Sequence, residues 1–507
     1  MKQRKYWLGM ALLGLASHSF AQNEVDALRY SRTQPVGTAR TLGIGGASVA
    51  LGADAGSIAT NPAGLGLFRS SEFTFTPGLG IGNTDSRIEG VTATDSRNSL
   101  HIANLGLVFA NRKPDTDQNA WRGGAAAFSI TRVNDLNSRF HYRHTPAESQ
   151  DLLSYLNRNP GIDQQTDFDD LAYEAFLTEK DAAGIYVPAD YDKTGPLTQT
   201  ETVLNTGSQT QFDFGYGASY RDKLYLGGSI GILSTRFNST KTLGATDPSP
   251  ADPSTEGTSF STLEYRETLK VRGTGVNLRV GAIYQPTDAV RLGASIQTPT
   301  YMQLSESYSS TMNTTFDRPI TVDGKTYSEA SAGNEGEYDY ALVSPFRASG
   351  GLAVIIGKFG FLTGDVEYVN YGQARLSNTS ENEGTTAGTD FSYANDAVRT
   401  GYQQAVNLRI GGEARVDIFR LRAGFARYGD PYKVDNGSRT QDYITGGVGL
   451  RQKNFFLDAA GVYNTTRQYY SPYSFSDAAG NLDTDRTPIV NLESSRFTTS
   501  ITAGFLF

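Results

Sequence analysis

The chain of 507 residues contains no cysteine. Disulfide bonds and thiolate metal sites are therefore excluded, as is lipoprotein processing, which needs a cysteine at the cleavage point. After the first 21 residues, no stretch approaches the ~18 consecutive apolar residues of a membrane-spanning helix. No linker-like break rich in proline or serine divides the chain, so we expect no set of separate soluble domains.

Positive charge is also in the minority, because 45 Lys and Arg residues face 53 Asp and Glu residues, giving a net charge of −8. An acidic chain argues against a nucleic-acid partner, which requires a basic face. What the chain does have is 55 glycines, 28 tyrosines and 26 phenylalanines, with only 38% hydrophobic residues. This composition is typical of an outer-membrane β-barrel.

The N-terminus has the three parts of a secretory signal peptide. Basic residues within the first five positions precede an apolar core at residues 6–15, and small residues at positions 19 and 21 predict cleavage before Gln22. We therefore expect residues 1–21 to be a signal peptide. The mature chain is expected in the outer membrane of a Gram-negative-type envelope.

Alternation with a period of two is the main structural signal. Residues 406–417 alternate apolar and polar side chains, and 274–284 and 496–507 do the same. In a transmembrane barrel the apolar face meets lipid and the polar face lines the lumen. A soluble sandwich would instead pack its apolar faces inward.

Connection lengths favour the barrel over the sandwich. We predict about 14 strands, at 71–82, 99–112, 122–143, 208–222, 223–243, 261–286, 289–316, 336–357, 358–378, 403–417, 418–432, 438–453, 454–471 and 491–507. Short connections alternate with long polar ones at 83–98, 144–207, 244–260, 317–335, 379–402 and 472–490. This alternation is typical of periplasmic turns and extracellular loops, so residues 71–507 are predicted to form an all-β, transmembrane antiparallel β-barrel.

Residues 144–207 differ from the other connections. Two stretches within them, 151–156 and 171–177, have helical spacing. A loop of this length without structure of its own would be unusual in a folded protein. We therefore predict a partly helical extracellular loop that caps the pore.

Residues 39–68 read ARTLGIGGASVALGADAGSIATNPAGLGLF. A segment of small residues with an Asn-Pro-Ala turn, placed ahead of a barrel pattern, suggests a plug inside a pore. We predict an N-terminal hatch at residues 22–70. Its glycines have no strand–GxGxxG–helix context, so tight packing explains them better than a phosphate-binding loop.

This segment resembles the N-terminal hatch of the FadL/TodX family of outer-membrane transport proteins for long-chain fatty acids and other hydrophobic compounds. The matching residues are Gly45-Gly46-Ala47, Ala53-Asp54-Ala55 and Asn61-Pro62-Ala63-Gly64. The resemblance continues at 281–299, 350–371 and 408–431, and so covers most of the mature chain. Members of this family have 14 strands, in agreement with the number that the alternation predicts.

The resemblance implies passive uptake of a hydrophobic ligand, with ligand-gated movement of the hatch and lateral exit through a gap in the wall. It implies a gate formed by Asn61, Pro62 and Ala63 together with Gly45 and Gly46, near a kinked third strand. Residues 134–137 interrupt the alternation of that strand, as a bulge would. A long strand that emerges into solvent explains the interruption equally well.

Four arginines on the polar parity are candidates for binding a ligand carboxylate, because arginine binds carboxylates in bidentate geometry. They are Arg279, Arg409, Arg415 and Arg422. The other interpretation is that each forms a lumen ion pair with Glu413 or a similar acid. Both interpretations stay open for each arginine.

Two other functions also stay open. The first is a non-transport surface or assembly protein that uses residues 144–207 to bind another protein. The second is a haem-related receptor in which His141 and His144 ligate iron, although their i, i+3 spacing at a strand end does not put both rings on one face.

No serine–histidine pairing suggests a barrel phospholipase, so we predict no enzyme, no catalytic residue, no cofactor and no metal site. The expected partners are a hydrophobic small molecule and outer-membrane lipid. The barrel assembly machinery is a further expected partner, through the C-terminal Phe507. We expect a monomer.

Overall fold

The computed structural model describes residues 24–114, 116–156, 166–180, 186–188, 197–248, 260–379, 390–433, 439–476 and 483–507. The predicted signal peptide and parts of the predicted long outer connections lie outside these residues. In the described part of the chain, no helix has both the length and the apolar character needed to cross a bilayer.

One antiparallel sheet closes on itself, because its first strand pairs with its last strand as well as with its second. Its 14 strands, four of them interrupted, are β1 Glu72–Ile88, β2 Val91–Arg112, β3 Trp121–Asp135 and Ser138–His144, β4 Thr198–Tyr220, β5 Leu224–Thr246, β6 Phe260–Thr287, β7 Val290–Gln297 and Tyr301–Val322, β8 Lys325–Val343 and Arg347–Ile356, β9 Gly360–Asn370 and Arg375–Asn378, β10 Gln404–Val416, β11 Phe419–Tyr428, β12 Gln441–Arg451, β13 Phe455–Tyr470 and β14 Val490–Leu506. The predicted antiparallel barrel of about 14 strands is confirmed.

Short helices lie in the N-terminal segment and in the outer connections. They are α1 Glu24–Ser31, α2 Ala39–Gly43, α3 Leu152–Leu156, α4 Asp167–Glu174 and α5 Ser392–Gly401, with 3₁₀ turns at Ala55–Ala59, Pro62–Leu67, Glu148–Gln150 and Tyr371–Gln373. The connection between β3 and β4 contains α3, α4 and a small sheet of Thr178–Lys180 and Tyr186–Pro188. It is therefore partly helical, as predicted. It ends earlier than predicted, because β4 begins at Thr198.

Large apolar side chains point outward around the whole barrel. On β10, Val406, Leu408 and Ile410 are 48–61% exposed, while Asn407 and Arg409 between them are 1% and 8% exposed. Exposed apolar side chains recur on the other strands, for example Phe214 on β4, Ile230 on β5 and Leu292 on β7. An exposed apolar band of this size is stable only against lipid, so the barrel is a transmembrane barrel of the outer-membrane type.

Two outer connections that were predicted to be long, 83–98 and 317–335, are two-residue turns at Glu89-Gly90 and Asp323-Gly324. All four turn residues have positive φ, as in type I′ hairpins. The prediction was wrong because apolar alternation ends where a strand leaves the lipid, whereas backbone pairing continues into water. The Asp-Gly dipeptide is a hairpin signal that the pattern of apolar residues concealed.

Residues 24–71, here called the lumen segment, run through the inside of the barrel. Their backbone groups bond to wall side chains on all sides: Arg29 O to Asn134 of β3 (3.2 Å), Tyr30 O to Gln209 of β4 (3.1 Å), Ala39 N to Thr502 of β14 (2.8 Å), Gly43 O to Thr445 of β12 (3.2 Å), Ser48 N to Asp365 of β9 (2.7 Å), Leu51 O to Arg291 of β7 (2.8 Å) and Ile58 O to Arg279 of β6 (2.9 Å). A boundary between hatch and barrel at residue 70 stays a prediction.

Wall glycines allow the lumen segment to approach the barrel closely. A Cβ atom at Gly411 would lie 2.3 Å from the carbonyl oxygen of Ile44, and one at Gly424 would lie 2.3 Å from its carbonyl carbon. Real Cβ atoms do not approach backbone this closely, so any larger residue must push the lumen segment away.

We expect Gly424→Val to displace the lumen segment, because the new side chain would overlap the backbone of Ile44. The strain should lower the free energy of unfolding by about 1–3 kcal/mol. Thermal unfolding and limited proteolysis within residues 24–71 measure the effect. The matched control is Gly350→Val, because a Cβ atom there meets nothing within 4 Å. Equal stability of the two variants would contradict the prediction.

Candidate functional site

The first part of the candidate site is an apolar chamber inside the barrel, which α1 occupies. Ala27, Leu28 and Tyr30 of α1 are each at most 5% exposed. They belong to one cluster with lumen-facing side chains of β5 to β9 and of α5, including Phe237, Val271, Met302, Leu304, Tyr340 and Val398. The chamber therefore presents an apolar surface that an N-terminal helix covers.

The outer mouth above this chamber is covered by the β3–β4 connection. Leu152 of α3 and Leu171 of α4 are buried in a second apolar cluster, together with Phe260 of β6 and Met312 of β7. Buried helices on the outer ends of the strands form a cap, as the sequence predicted for this loop.

Next to the chamber lies a cavity of about 80 Å³ with a mixed polar and apolar lining, which includes Arg279 and Arg409. Arg409 donates to Glu367 at 3.0 Å, and Arg347 donates to the same carboxylate at 3.0 Å. Arg279 donates to the carbonyl oxygen of Ile58 at 2.9 Å and lies 3.7 Å from Asp213. These arginines are therefore held in ion pairs. Sequence reasoning missed Arg347 and Glu367, although both lie on the polar parity of their predicted strands.

Arg415 and Arg422 lie elsewhere, nearer the short turns. Arg422 donates to Glu413 at 2.8 Å and to Asp458 at 2.6 Å, and Arg415 donates to Glu413 at 2.8 Å. Arg415 is six residues beyond Arg409 on β10, about 20 Å at ~3.3 Å per residue. The four predicted cations thus lie at two levels, and a ligand contact for any of them stays a prediction.

The Asn-Pro turn is tied to both the lumen segment and the wall. The Asn61 Nδ2 group donates to Val49 O at 2.7 Å and to Ala282 O of β6 at 3.2 Å, and its Oδ1 accepts from Ala63 N at 3.0 Å. Pro62 begins the following 3₁₀ turn, where its missing N–H leaves no bond unmade. A Cβ atom at Gly281 would lie 2.0 Å from Asn61 Oδ1. Glycine at this position of the wall therefore leaves the room that the Asn61 side chain occupies.

The other predicted gate residues also make close contacts. Gly45 and Gly46 have φ values of 70° and 78°, which glycine adopts without strain. A Cβ atom at Gly45 would lie 2.9 Å from the carbonyl oxygen of Phe425 of β11. Ala63 is fully buried in a small cluster with wall side chains of β5 and β6. These positions fix the shape of the lumen segment, and their role as a gate stays a prediction.

The second part of the candidate site is a seam in the wall between β2 and β3. Backbone pairing of these strands runs from Arg112–Gly123 to Asn104–Thr131 and ends there. Beyond this point, the only described strand that pairs with residues 91–103 of β2 is β1. Leu100 and Ile102, which are 82% and 50% exposed, lie in this stretch, so the unpaired seam begins at the level of the lipid.

The predicted interruption of the third strand coincides with this seam. The register of β3 against β4 shifts between Arg132 and Asn134, and the strand stops at Asp135 before it resumes at Ser138. The interruption is therefore a bulge followed by a break. It is not the end of a straight strand in solvent.

Side chains bridge the seam where backbone pairing stops. The Asp135 carboxylate accepts from Ser99 of β2 at 3.0 Å, from Arg132 at 3.1 Å and pairs with Arg496 of β14 at 2.6 Å. Farther outward, Asp95 of β2 pairs with Arg139 at 3.2 Å and also contacts His141. The seam is thus closed by side-chain contacts in place of a backbone ladder.

The lumen segment contacts the same irregular stretch of β3. Gln34 N donates to Val133 O at 3.3 Å, and the Asn134 side chain donates to Arg29 O at 3.2 Å. Residues 29–34 comprise the last three residues of α1 and the three residues after it, whereas the Asn-Pro turn hydrogen-bonds β6. In this chain, the covered chamber and the seam are therefore connected through residues 29–34.

The two histidines considered as haem ligands lie on opposite faces of β3. His141 is partly exposed and contacts Asp95, whereas His144 is 4% exposed and packs 5.6 Å from the Tyr142 ring. Within the described part of the chain, neither ring nitrogen of His144 has a hydrogen-bond partner. Burial lowers the pKa of His144 to about 4. In the described part of the chain, no three His, Asp or Glu side chains converge as metal ligands.

No protein-family model matches the sequence, and a search of curated proteins finds no relative. Solved structures do match. A Pseudomonas aeruginosa FadL homologue aligns with a TM-score of 0.54 at 13% identity over 93% of this chain and 98% of that chain. The P. putida toluene transporter TodX aligns with a TM-score of 0.53 at 13% identity over 93% of this chain and 99% of that chain. At such identity the likeness shows the fold, and the fold is that of the FadL/TodX transport proteins, as the resemblance implied.

We expect Asn61→Ala to loosen the lumen segment, since it removes a cap and two donor contacts. The loss of the cap alone should lower the free energy of unfolding by about 0.5–2 kcal/mol. Denaturant unfolding in detergent measures this change. Asn238→Ala is the control, because that side chain is exposed on β5. Equal unfolding midpoints for the two variants would show that the turn does not anchor the segment.

A second prediction concerns acid stability. The pKa of His144, about 4 in the folded protein, lies below the unfolded value of ~6.5, so the unfolded state binds more protons between these values. The contribution of His144 to stability should be present above pH ~6.5 and lost as the pH falls toward ~4. Melting temperatures of the wild type and His144→Phe, measured between pH 7 and 4.5, test this. The variant should lose less stability on acidification, and an identical loss would refute the assignment.

Proposed function

We propose that the protein is an outer-membrane channel for passive uptake of hydrophobic small molecules. The observation that carries this proposal is an apolar chamber within a barrel whose wall has an unpaired seam at lipid level. Each CH₂ group moved out of water gains about 0.8 kcal/mol. An apolar ligand in the chamber therefore leaves more favourably into the neighbouring lipid than into the aqueous periplasm.

We infer membership of the FadL/TodX family from the hatch motif at residues 39–68 together with the shared fold. One of the compared proteins is described as a toluene transporter. Long-chain fatty acids and aromatic hydrocarbons are accordingly the two ligand classes to test first.

The proposed gating starts at α1. A ligand that enters the chamber competes with Ala27, Leu28 and Tyr30 for the same apolar surface. Displacement of α1 pulls on residues 29–34, which hold the irregular stretch of β3. The seam then opens, while the hatch residues around Asn61 keep the lower lumen filled.

For a fatty-acid ligand, Arg279 and Arg409 are the proposed carboxylate partners, because both line the cavity next to the chamber. The ligand carboxylate would replace Glu367 as the ion-pair partner of Arg409, so the number of ion pairs that Arg409 makes would stay the same. A neutral hydrocarbon makes no such exchange. Arg409→Gln should therefore weaken fatty-acid uptake more than toluene uptake.

The uptake of radiolabelled oleate and toluene by cells that express the protein tests the proposal directly. Extraction and gas chromatography of molecules that co-purify with the protein identify the native ligand. Conductance typical of an open porin in planar bilayers would contradict a plugged channel. Unchanged uptake with and without the protein would favour a surface or assembly role for the outer loop.

Lateral exit predicts that locking the seam stops uptake. We expect the double variant Ser99→Cys and Asp135→Cys to form a disulfide, because these side chains meet at 3.0 Å across the seam. Uptake should fall at least about tenfold when oxidised and return when dithiothreitol is added. The same double variant is measured oxidised and reduced. The loss of the Asp135 ion pairs is common to both measurements and so does not account for a difference between them.

The matched control for this lock is Ser234→Cys with Thr274→Cys, which face each other on the fully paired strands β5 and β6. Oxidation should leave uptake by this second double variant unchanged. If the oxidised seam variant transports normally, exit does not pass between β2 and β3.

A further inference from the structure

A separate cavity of about 130 Å³, here called the basal cavity, lies at the short-turn end of the barrel. Its lining consists entirely of charged side chains, namely Arg40, Glu413, Arg415, Arg420, Arg422, Arg451 and Asp458. Arg415 and Arg420 flank the turn between β10 and β11, and Arg451 ends β12. By the usual orientation of such barrels, these short turns face the periplasm.

The basal cavity carries an excess of positive charge. Its five arginines and two carboxylates sum to +3 (5 − 2). Asp54, which lies 3.8 Å from Arg40, and Glu72, which interacts with Arg40 and Arg451, extend the cluster. Even with both of these carboxylates ionised, the wider cluster keeps one positive charge in excess (5 − 4). Like charges held together away from bulk water repel one another unless an anion joins them.

Only some of the arginines of the basal cavity form ion pairs with its carboxylates. Glu413 binds Arg415 and Arg422, and Asp458 binds Arg422. Arg40 lies 3.8 Å from Glu413 and donates to Ala53 O at 2.9 Å. Two of the five arginines remain, and they are the outermost pair.

Among the described residues, neither of these two arginines lies within 4 Å of a carboxylate oxygen, although Glu72 acts on Arg451 over a longer distance. Arg420 donates only to the backbone oxygens of Asp417 and Phe419, at 2.7 and 2.8 Å. The Arg451 guanidinium stacks 4.6 Å from the ring centre of Phe456. Because Arg451 is exposed, the basal cavity is accessible from the short-turn end.

We propose that the basal cavity binds a phosphate group, carried either by a phospholipid of the inner leaflet or by free phosphate. Free phosphate brings about −1.5 to −2 charges near neutral pH, and the phosphodiester of a phospholipid headgroup brings −1. The free acceptor oxygens of either group can bind more than one arginine at once. Arginine forks bind phosphate in bidentate geometry, and several of them converge here. This site is independent of the proposed uptake of hydrophobic molecules.

Isothermal titration of the full mature protein, in a neutral detergent, tests the site with two separate probes. One probe is inorganic phosphate, and the other is the soluble phospholipid dihexanoylphosphatidylglycerol. The double variant Arg420→Gln and Arg451→Gln should bind at least one probe about tenfold or more weakly than the wild type. Arg427→Gln is the matched control, because Arg427 lies exposed on β11 and pairs with Asp442 away from the cavity.

Tighter binding of the phospholipid assigns the site to a lipid headgroup, and tighter binding of inorganic phosphate assigns it to the free ion. Heat-modifiable migration on gels confirms that each variant is folded. Should the double variant misfold, Arg451→Gln alone serves, since its guanidinium forms no hydrogen bond among the described residues. The same affinity in wild type and variant, or no binding of either probe at millimolar concentration, overturns the proposal.

Discussion

The fold depends on one constraint, which is that backbone groups in a lipid environment must find hydrogen-bond partners within the protein. Closure of β1 against β14 meets this constraint for almost the whole wall. Among the described residues, β2 lacks this pairing with β3 beyond Asn104, where Leu100 and Ile102 are exposed to lipid. There Gln34 N of the lumen segment donates to Val133 O of β3, and side chains that converge on the Asp135 carboxylate bridge the two strands. The place where the ladder fails is thus the place where wall and lumen segment depend on each other.

Inside the barrel, charge and apolar surface are separated by level. The apolar chamber lies next to a band of ion pairs centred on Glu367, and a second charged band lies near the short turns. Ile44 crosses the lumen between the two charged bands, at the level of Gly411. The lumen segment therefore lies between the two charged bands.

Much of this architecture could be read from the sequence. Strict alternation predicted that Val406 and Leu408 face lipid and that Asn407 and Arg409 face the lumen, because successive side chains of a strand point to opposite faces. The number of strands followed from the recurrence of that pattern. The outer hairpin at Asp323-Gly324 could not be predicted from this pattern. Both faces of a strand in water carry polar side chains, so the alternation of apolar and polar residues is lost there.

The candidate site was less accessible to sequence reasoning, because its contacts join distant parts of the chain. Nothing in the local pattern shows that Arg347 and Arg409 share Glu367, which depends on the stagger of three strands. Asn61 was recognised by its motif, yet its acceptor on β6 lies 221 positions away. Similarly, the contacts of residues 29–34 with β3 are accepted by backbone carbonyl groups. Every residue has such a group, so no residue type in the sequence marks these contacts.

The close approach of Ile44 to the wall also constrains the order in which the molecule assembles. The pairing of β1 with β14 joins Phe73 to Phe505, from opposite ends of the chain. Because it closes the longest loop in the sequence, we expect it to form after the strands between them have paired. A segment whose backbone touches Gly411 and Gly424 has no clearance to thread into a finished cylinder. We infer that the N-terminal residues are in place before β1 pairs with β14, so that the barrel closes around them.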